Sequence, residues 1–182
     1  MQDIVSSWPQ VSANRALHYQ WFANLLALEL TEEQLALYQG QQAEPILAVF
    51  SQIGLESEAQ RVRKAIQDWG NKPHLRLELA ADFAQMFLLD AKRAAVPYAS
   101  VYLDNGQVYG SSEQLMRNIL RDNQLEIPSD FKEPADHVAV MLGVMAEWIR
   151  REQEHKAISP EWRQTVQFQH NFVEQMLLSF LP

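Results

Sequence analysis

Glu133-Pro134-Ala135-Asp136-His137 stands where a polar, proline-punctuated segment turns into a long apolar period. Proline at a first helical position gives up an N–H that has no intrahelical partner, and acidic side chains on either side meet the positive end of the helix dipole. The pattern therefore predicts a helix from Pro134 to about Lys156, with Glu133 and Asp136 as caps in the simplest reading. Val138, Met141, Leu142, Met145, Trp148 and Ile149 recur at helical spacing, and Val140 and Val144 widen the stripe until little polar surface is left. Such a helix should be central and largely buried. His137 falls one turn after Glu133 and one turn before Met141, at the border of that apolar face. A histidine in this position can change charge near neutral pH.

Upstream, Leu17, Trp21, Leu25 and Leu28 repeat at helical spacing, broadened by Tyr19, Phe22 and Leu26, and predict a helix over residues 14–28 with that stripe inward. Thr31 and Gln34 make a capping box for a second helix ending near Gly40. Pro45 opens a third, and Gly54 ends it. A fourth spans residues 56–69, with Val62, Ala65, Ile66 and Trp69 inward and Gly70-Asn71-Lys72-Pro73 closing it. The fifth, over about 73–89, lines up Leu75, Leu79, Phe83, Met86 and Phe87. Asp82 borders that face, where a carboxylate needs a partner.

Residues 96–112 break the helical period. Tyr98, Ser100 and Tyr102 alternate with Ala99, Val101 and Leu103 ahead of Asp104-Asn105-Gly106, which is hairpin grammar. A lone two-stranded hairpin is marginal in water, so the stretch is read as an extended, aromatic-rich loop, a common carrier of binding residues. Gly110 then frees the backbone before a second capping box, Ser111 with Gln114, and a helix through Leu120. Residues 121–132 form a polar linker, and Ser159-Pro160-Glu161 starts the last helix. The whole reads as one all-α, bundle-like domain: a helical part over 1–120, the linker, and a two-helix part over 133–182 sharing its core. A hairpin as apolar as 133–182 must pack on its own chain or on a second one, so domain-swapped homodimerisation is an expectation to test.

The chain has 182 residues, enough for one sizeable core or two small helical subdomains sharing one, and its 47% hydrophobic fraction with 10% aromatics argues against disorder. A net charge of −8 disfavours nucleic acid as a partner. With no cysteine there is neither a disulfide framework nor a thiolate metal site. No basic-then-apolar leader opens the sequence and no run is long enough to span a bilayer, so a soluble, unexported, cytoplasmic protein is expected.

Leu77-Glu78-Leu79-Ala80-Ala81-Asp82-Phe83-Ala84-Gln85-Met86-Phe87-Leu88, then Pro97-Tyr98-Ala99-Ser100-Val101-Tyr102, read together with Glu133-Pro134-Ala135-Asp136-His137, resembles the TorD family of cytoplasmic redox-enzyme maturation chaperones. The likeness is greatest to members that serve trimethylamine N-oxide reductase, and its motifs cover the middle third of the chain. The resemblance implies an apo-molybdoenzyme client recognised through its twin-arginine signal peptide, assistance to molybdenum-cofactor insertion, and weak guanine nucleotide binding with no residues identifiable for it. Pro134, Asp136 and His137 match the family signature and Pro97 and Tyr98 its loop, while Tyr98 and Tyr102 stand where relatives carry tryptophan and Met86 where they carry leucine. On charge and apolarity, Glu133, Asp136 and Asp82 suit the arginines of such a peptide, and Phe83, Met86, Phe87, Pro97, Tyr98 and Tyr102 suit its apolar stretch.

Machinery for catalysis is missing. There is no His-Glu-x-x-His, Gly-x-Ser-x-Gly or phosphate loop, and the five histidines have no paired ligand spacing, so no metal and no tightly bound cofactor are expected. The reading is a chaperone and not an enzyme. Its alternatives are a helical interaction or regulatory module without a molybdoenzyme client and, less favoured, a carboxylate–histidine hydrolase using Asp82, Asp136 and His137.

Overall fold

The computed structural model describes residues 2–70, 72–155 and 157–181, with side chains from residue 7 onward. Asn71 of the expected stop signal and Lys156 at the expected helix end lie outside the described residues. Among the described residues the fold is all-helical, with no strand: α1 (Gln2–Ala27), α2 (Glu32–Gln39), α3 (Glu44–Gln52), α4 (Glu56–Trp69), α5 (Leu75–Phe83), α6 (Ala99–Leu103), α7 (Ser111–Asp122), α8 (Val138–Glu152) and α9 (Pro160–Phe172). α5 and α9 each run on into one π-helical turn, Ala84–Leu88 and Val173–Leu177. None of these helices is long and apolar enough to cross a membrane. The chain forms two compact units, residues 28–94 and the remainder, Met1–Ala27 with Ala95–Pro182. The division thus falls at residues 27/28 and 94/95, and not in the polar segment 121–132.

In the larger unit α8 is the central helix. Met141, Met145 and Ile149 are wholly enclosed, each such side chain contributing roughly 1.5–3 kcal/mol of burial free energy. α7 adds Met116 and Leu120, and α9 with its π turn adds Phe172, Met176 and Leu177. α1 packs along α8 and is longer than its apolar stripe predicts, running through Pro9. Its buried face is also a different one: Ser12, Ala16 and Ala23 are enclosed, whereas Leu17 is 59% exposed and Phe22 40%. Small side chains let the α1 backbone approach the crowded face of α8, and that contact, not the most apolar stripe, sets the rotation of the helix. Where α1, α8 and α9 meet, Glu152 is fully buried and accepts from Ser12 Oγ and, at 2.7 Å, from Gln169 Nε2, with Arg15 at 3.4 Å.

α8 starts at Val138, four residues later than the proline predicts, and His137 is its cap: the backbone there is extended and Nδ1 accepts from Ala139 N–H at 3.0 Å. Pro134 to Asp136 stay out of the helix because their neighbourhood is paired elsewhere, as set out below. Residues 96–112 are not an extended loop throughout. Only the start is extended; α6 follows, then a turn in which Asn105 and Gly106 have positive φ. The expected Ser111–Gln114 box is absent too. Asp104 takes its place, accepting from Ser111 Oγ and from Ser112 N–H at 2.8 Å, with Gly110 as the residue before the helix. Segment 121–132 is fastened down, since Leu125 and Ile127 pack against the core and Asn123 accepts from Trp148 Nε1 at 2.9 Å.

The smaller unit follows the local signals closely. The Thr31–Gln34 box is formed in both directions, Pro45 lies in the first turn of α3, and Gly54 after it has φ +92°. α4 has the expected bounds, although Ala59 is its only buried residue and Ala65 faces outward. Tyr38, Leu47, Arg63, Ile66 and Gln67 line an open cleft of about 680 Å³ across which Arg63 grips Glu44 with two nitrogens, at 2.7–3.1 Å.

Candidate functional site

The Glu133–His137 stretch is one half of a clasp, and residues 97–100 are the other. Pro97 C=O accepts from Val138 N–H at 2.8 Å, and Ala99 N–H donates to Asp136 C=O at 3.2 Å, which makes a single antiparallel bridge between Tyr98 and His137. Asp136 reaches across as well: its Oδ2 accepts from Ser100 N–H at 2.6 Å, satisfying a donor at the start of α6. Asp136 is 0% exposed, and its Oδ1, like Ser100 Oγ, is enclosed without a protein partner. A buried carboxylate held this way is an expensive feature, retained where it fixes a conformation. Pro134 and Pro97 are buried, so the backbone on both sides of the clasp is stiffened by a ring that limits φ.

Around this interior bond lies an aromatic collar. The His137 ring meets Tyr98 at 5.5 Å and Phe131 at 5.3 Å, both edge-on, which is the favourable arrangement for rings of this kind. The expected switch near neutral pH is not what the structure holds. Burial pushes His137 down to about 4 against the opposing pull of Glu133 and Asp136, so the imidazole is neutral at physiological pH and its Nδ1 is free to accept from Ala139. Tyr98 O–H donates to Glu133 Oε2. Burial first, then the Glu133 carboxylate, raises the phenol above its ordinary value, and it remains a donor.

Outside the collar the surface is apolar and open. Tyr102, Leu103 and Val108 are exposed, and Tyr109 is 64% exposed at φ +65°, a backbone setting uncommon for a bulky residue. Tyr102 stacks on Phe180 at 5.9 Å, and Tyr109 lies close enough to Tyr98 to act on it electrostatically. Gly110 is required beneath this surface, because a Cβ there would come within 2.6–2.7 Å of Asp104 Cβ and Cγ. Of the residues singled out in the sequence, Pro97, Tyr98, Tyr102, Gly110, Glu133, Pro134, Asp136 and His137 all lie in this unit.

Asp82, Phe83, Met86 and Phe87 belong to the smaller unit. Phe83 and Phe87 pair at 5.0 Å across the start of the π turn, and Met86 is 52% exposed. Asp82 is exposed, so water supplies the partner that its apolar neighbours suggested it would have to find in the protein. Ser100, Asp104, Phe131 and Tyr109 are not among the site residues the sequence singles out. Ser100 contributes a backbone N–H, which no residue type announces, whereas the Asp104-Asn105-Gly106 turn could have marked Asp104 as a side chain returning to the next helix. Among the described residues no group of three or more histidines and carboxylates is placed to hold a metal ion.

Comparison with known proteins gives the family. The family model described as "Nitrate reductase delta subunit" matches residues 52–182. Among curated relatives, Chaperone protein TorD of Psychrobacter sp. strain PRwf-1 is 39% identical over 96% of this chain and 79% of its own length. Chaperone protein TorD of Actinobacillus succinogenes is 36% identical over 92% and 80%, and that of Vibrio cholerae 32% identical over 94% and 78%. Matched by the family model over most of its length and by relatives of this closeness over nearly all of it, the chain belongs to the nitrate reductase delta subunit family and, within it, to the TorD-type maturation chaperones, not to a class of enzymes.

Proposed function

We propose that this chaperone acts in the cytoplasm on a molybdoenzyme of the trimethylamine N-oxide reductase type. It binds the apo-form and its twin-arginine signal peptide, keeps the client open for molybdenum-cofactor insertion, and shields the peptide from premature export. The single observation that carries the reading is that Glu133 is held by Tyr98, which lies beside the exposed Tyr109, in a segment whose Tyr102, Leu103 and Val108 are exposed as well. A signal peptide has that same order of parts, a basic head and then an apolar stretch. The Phe83–Phe87 turn, with Met86 and Asp82, is proposed as a further client contact in the smaller unit. Release follows from mass action: the chaperone prefers the unloaded client, and cofactor loading closes the form it binds.

Calorimetric titration of the full chain with a synthetic trimethylamine N-oxide reductase signal peptide, beside a twin-lysine version, tests the reading. Saturable binding that weakens with lysine supports it, since arginine alone offers a carboxylate a planar two-bond fork. No binding by folded protein withdraws the signal-peptide site and leaves the mature client body as the ligand. Weak guanine nucleotide binding is retained as a proposal from the resemblance, without residues, and equilibrium dialysis against labelled nucleotide decides it.

A further inference from the structure

We infer that the clasp divides its labour: Glu133 receives a cationic side chain of the client, whereas Asp136 is a positioning residue that never touches it. The inference rests on the signal-peptide reading above and assigns roles within that site. Asp136 presents no atom at the surface, being 0% exposed with Oδ2 engaged by Ser100 N–H at 2.6 Å. Its carboxylate is bonded inside the junction that Ala99 N–H to Asp136 C=O and Val138 N–H to Pro97 C=O hold together, so meeting an arginine would mean opening that junction. Removing those bonds would dismantle the start of both α6 and α8, so the carboxylate serves the clasp and not the ligand.

Glu133 differs in each respect. It is partly exposed, and one oxygen accepts from Tyr98 O–H. A carboxylate has about four acceptor sites, so a neutral hydroxyl on Oε2 leaves Oε1 available for a charge-assisted bond. No lysine or arginine among the described residues is paired with it. Two other acids of the same unit are already engaged, Asp104 by Ser111 and Ser112 and Glu113 by Arg117 at 2.5 Å. Tyr98 is then a second positioning residue, fixing the direction in which Glu133 offers its free oxygen.

The test reads a ratio. The full chain is titrated with a peptide carrying two arginines before its apolar stretch and with the same peptide carrying two glutamines, and the preference is the quotient of the two affinities. Glu133→Gln should collapse that preference by about 10-fold, the scale of one lost charge-assisted bond. Its thermal midpoint should move little, because glutamine still accepts from Tyr98. Asp136→Asn should lower both affinities by a common factor and leave the quotient, together with a lower thermal midpoint. Tyr98→Phe, which keeps the ring, should reduce the quotient by a smaller factor than Glu133→Gln. A quotient that survives both Glu133→Gln and Tyr98→Phe overturns the inference, as does one that collapses in a folded Asp136→Asn protein. Absence of saturable binding by the unsubstituted chain is a different result, and it overturns the signal-peptide reading on which the roles depend.

Discussion

His137 is neutral because it is buried, and this makes the clasp measurable through pH. Its folded value of about 4 lies below the ordinary 6.5. Above pH 6.5 neither the folded nor the unfolded chain binds the proton, and the group contributes no slope. As pH falls below 6.5 the unfolded chain takes up the proton first, so stability declines until the folded value near 4 is passed. Between pH 7 and 5 the loss amounts to roughly 2 kcal/mol. Glu44 and Asp104 are held below their ordinary values by their hydrogen-bond partners and titrate under this window. Urea unfolding at pH 7 and pH 5 should therefore show a slope that His137→Gln removes, and an unchanged slope in that variant rules the assignment out. The sequence placed His137 beside an apolar face and next to carboxylates, which is correct, and led to a neutral-pH switch, which is not. Two negative neighbours raise a histidine and enclosure lowers it, and only the structure shows that Tyr98 and Phe131 complete the enclosure.

Helices whose ends are set by their own residues were legible, and helices whose ends or faces are set from a distance were not. The box at Thr31, Pro45 in α3 and the Ser159 cap of α9, which accepts from Trp162 N–H at 3.2 Å, all act within one turn. The face of α1 is chosen by α8, more than a hundred residues away in the chain, and there close approach favours Ser12, Ala16 and Ala23 over the larger stripe. Two substitutions separate these readings. Ala16→Leu should overpack the contact and lose about 1–3 kcal/mol, whereas Leu17→Gln should stay within about 0.5 kcal/mol of the parent in urea unfolding. The reverse order would restore the apolar stripe as the buried face. At α7 the cap is likewise distant enough to be missed, since hairpin-like alternation and an Asp-Asn-Gly turn precede it. Gly110→Ala should displace the Asp104 side chain and forfeit the cap, a loss of about 1–2 kcal/mol. Combined with Asp104→Ala the effect should be much less than additive in thermal or urea unfolding, because both changes remove one interaction.

On the scale of the molecule the chain is interleaved: Met1–Ala27 and Ala95–Pro182 make one unit and the intervening residues another. Polarity marked 121–132 as a boundary, yet that segment ties two parts of the same unit. Asn123 is the knot. Its Nδ2 donates to Ile119 C=O at 2.8 Å, its Oδ1 accepts from Trp148 Nε1, and its C=O accepts from Arg151 Nη1 at 2.8 Å. The proposal that α8 and α9 exchange between two copies requires this knot to open, with Leu125 and Ile127 leaving the core beside it. Once released, α8 cannot stand alone, since Met141, Met145 and Ile149 would face water until they met an α1, in its own chain or in another. Asn123→Ala removes both side-chain bonds of the knot and leaves the Trp148 N–H without its partner, for about 1–2 kcal/mol. That raises the opened population about 10-fold and should raise the rate at which dimer appears in concentrated protein by a similar factor. Size-exclusion chromatography with light scattering follows the rate, and small-angle scattering of the isolated dimer tells exchange from simple association. A compact monomer at every concentration, in the parent and in Asn123→Ala alike, removes the exchanged dimer and leaves the knot as a purely intramolecular fastening.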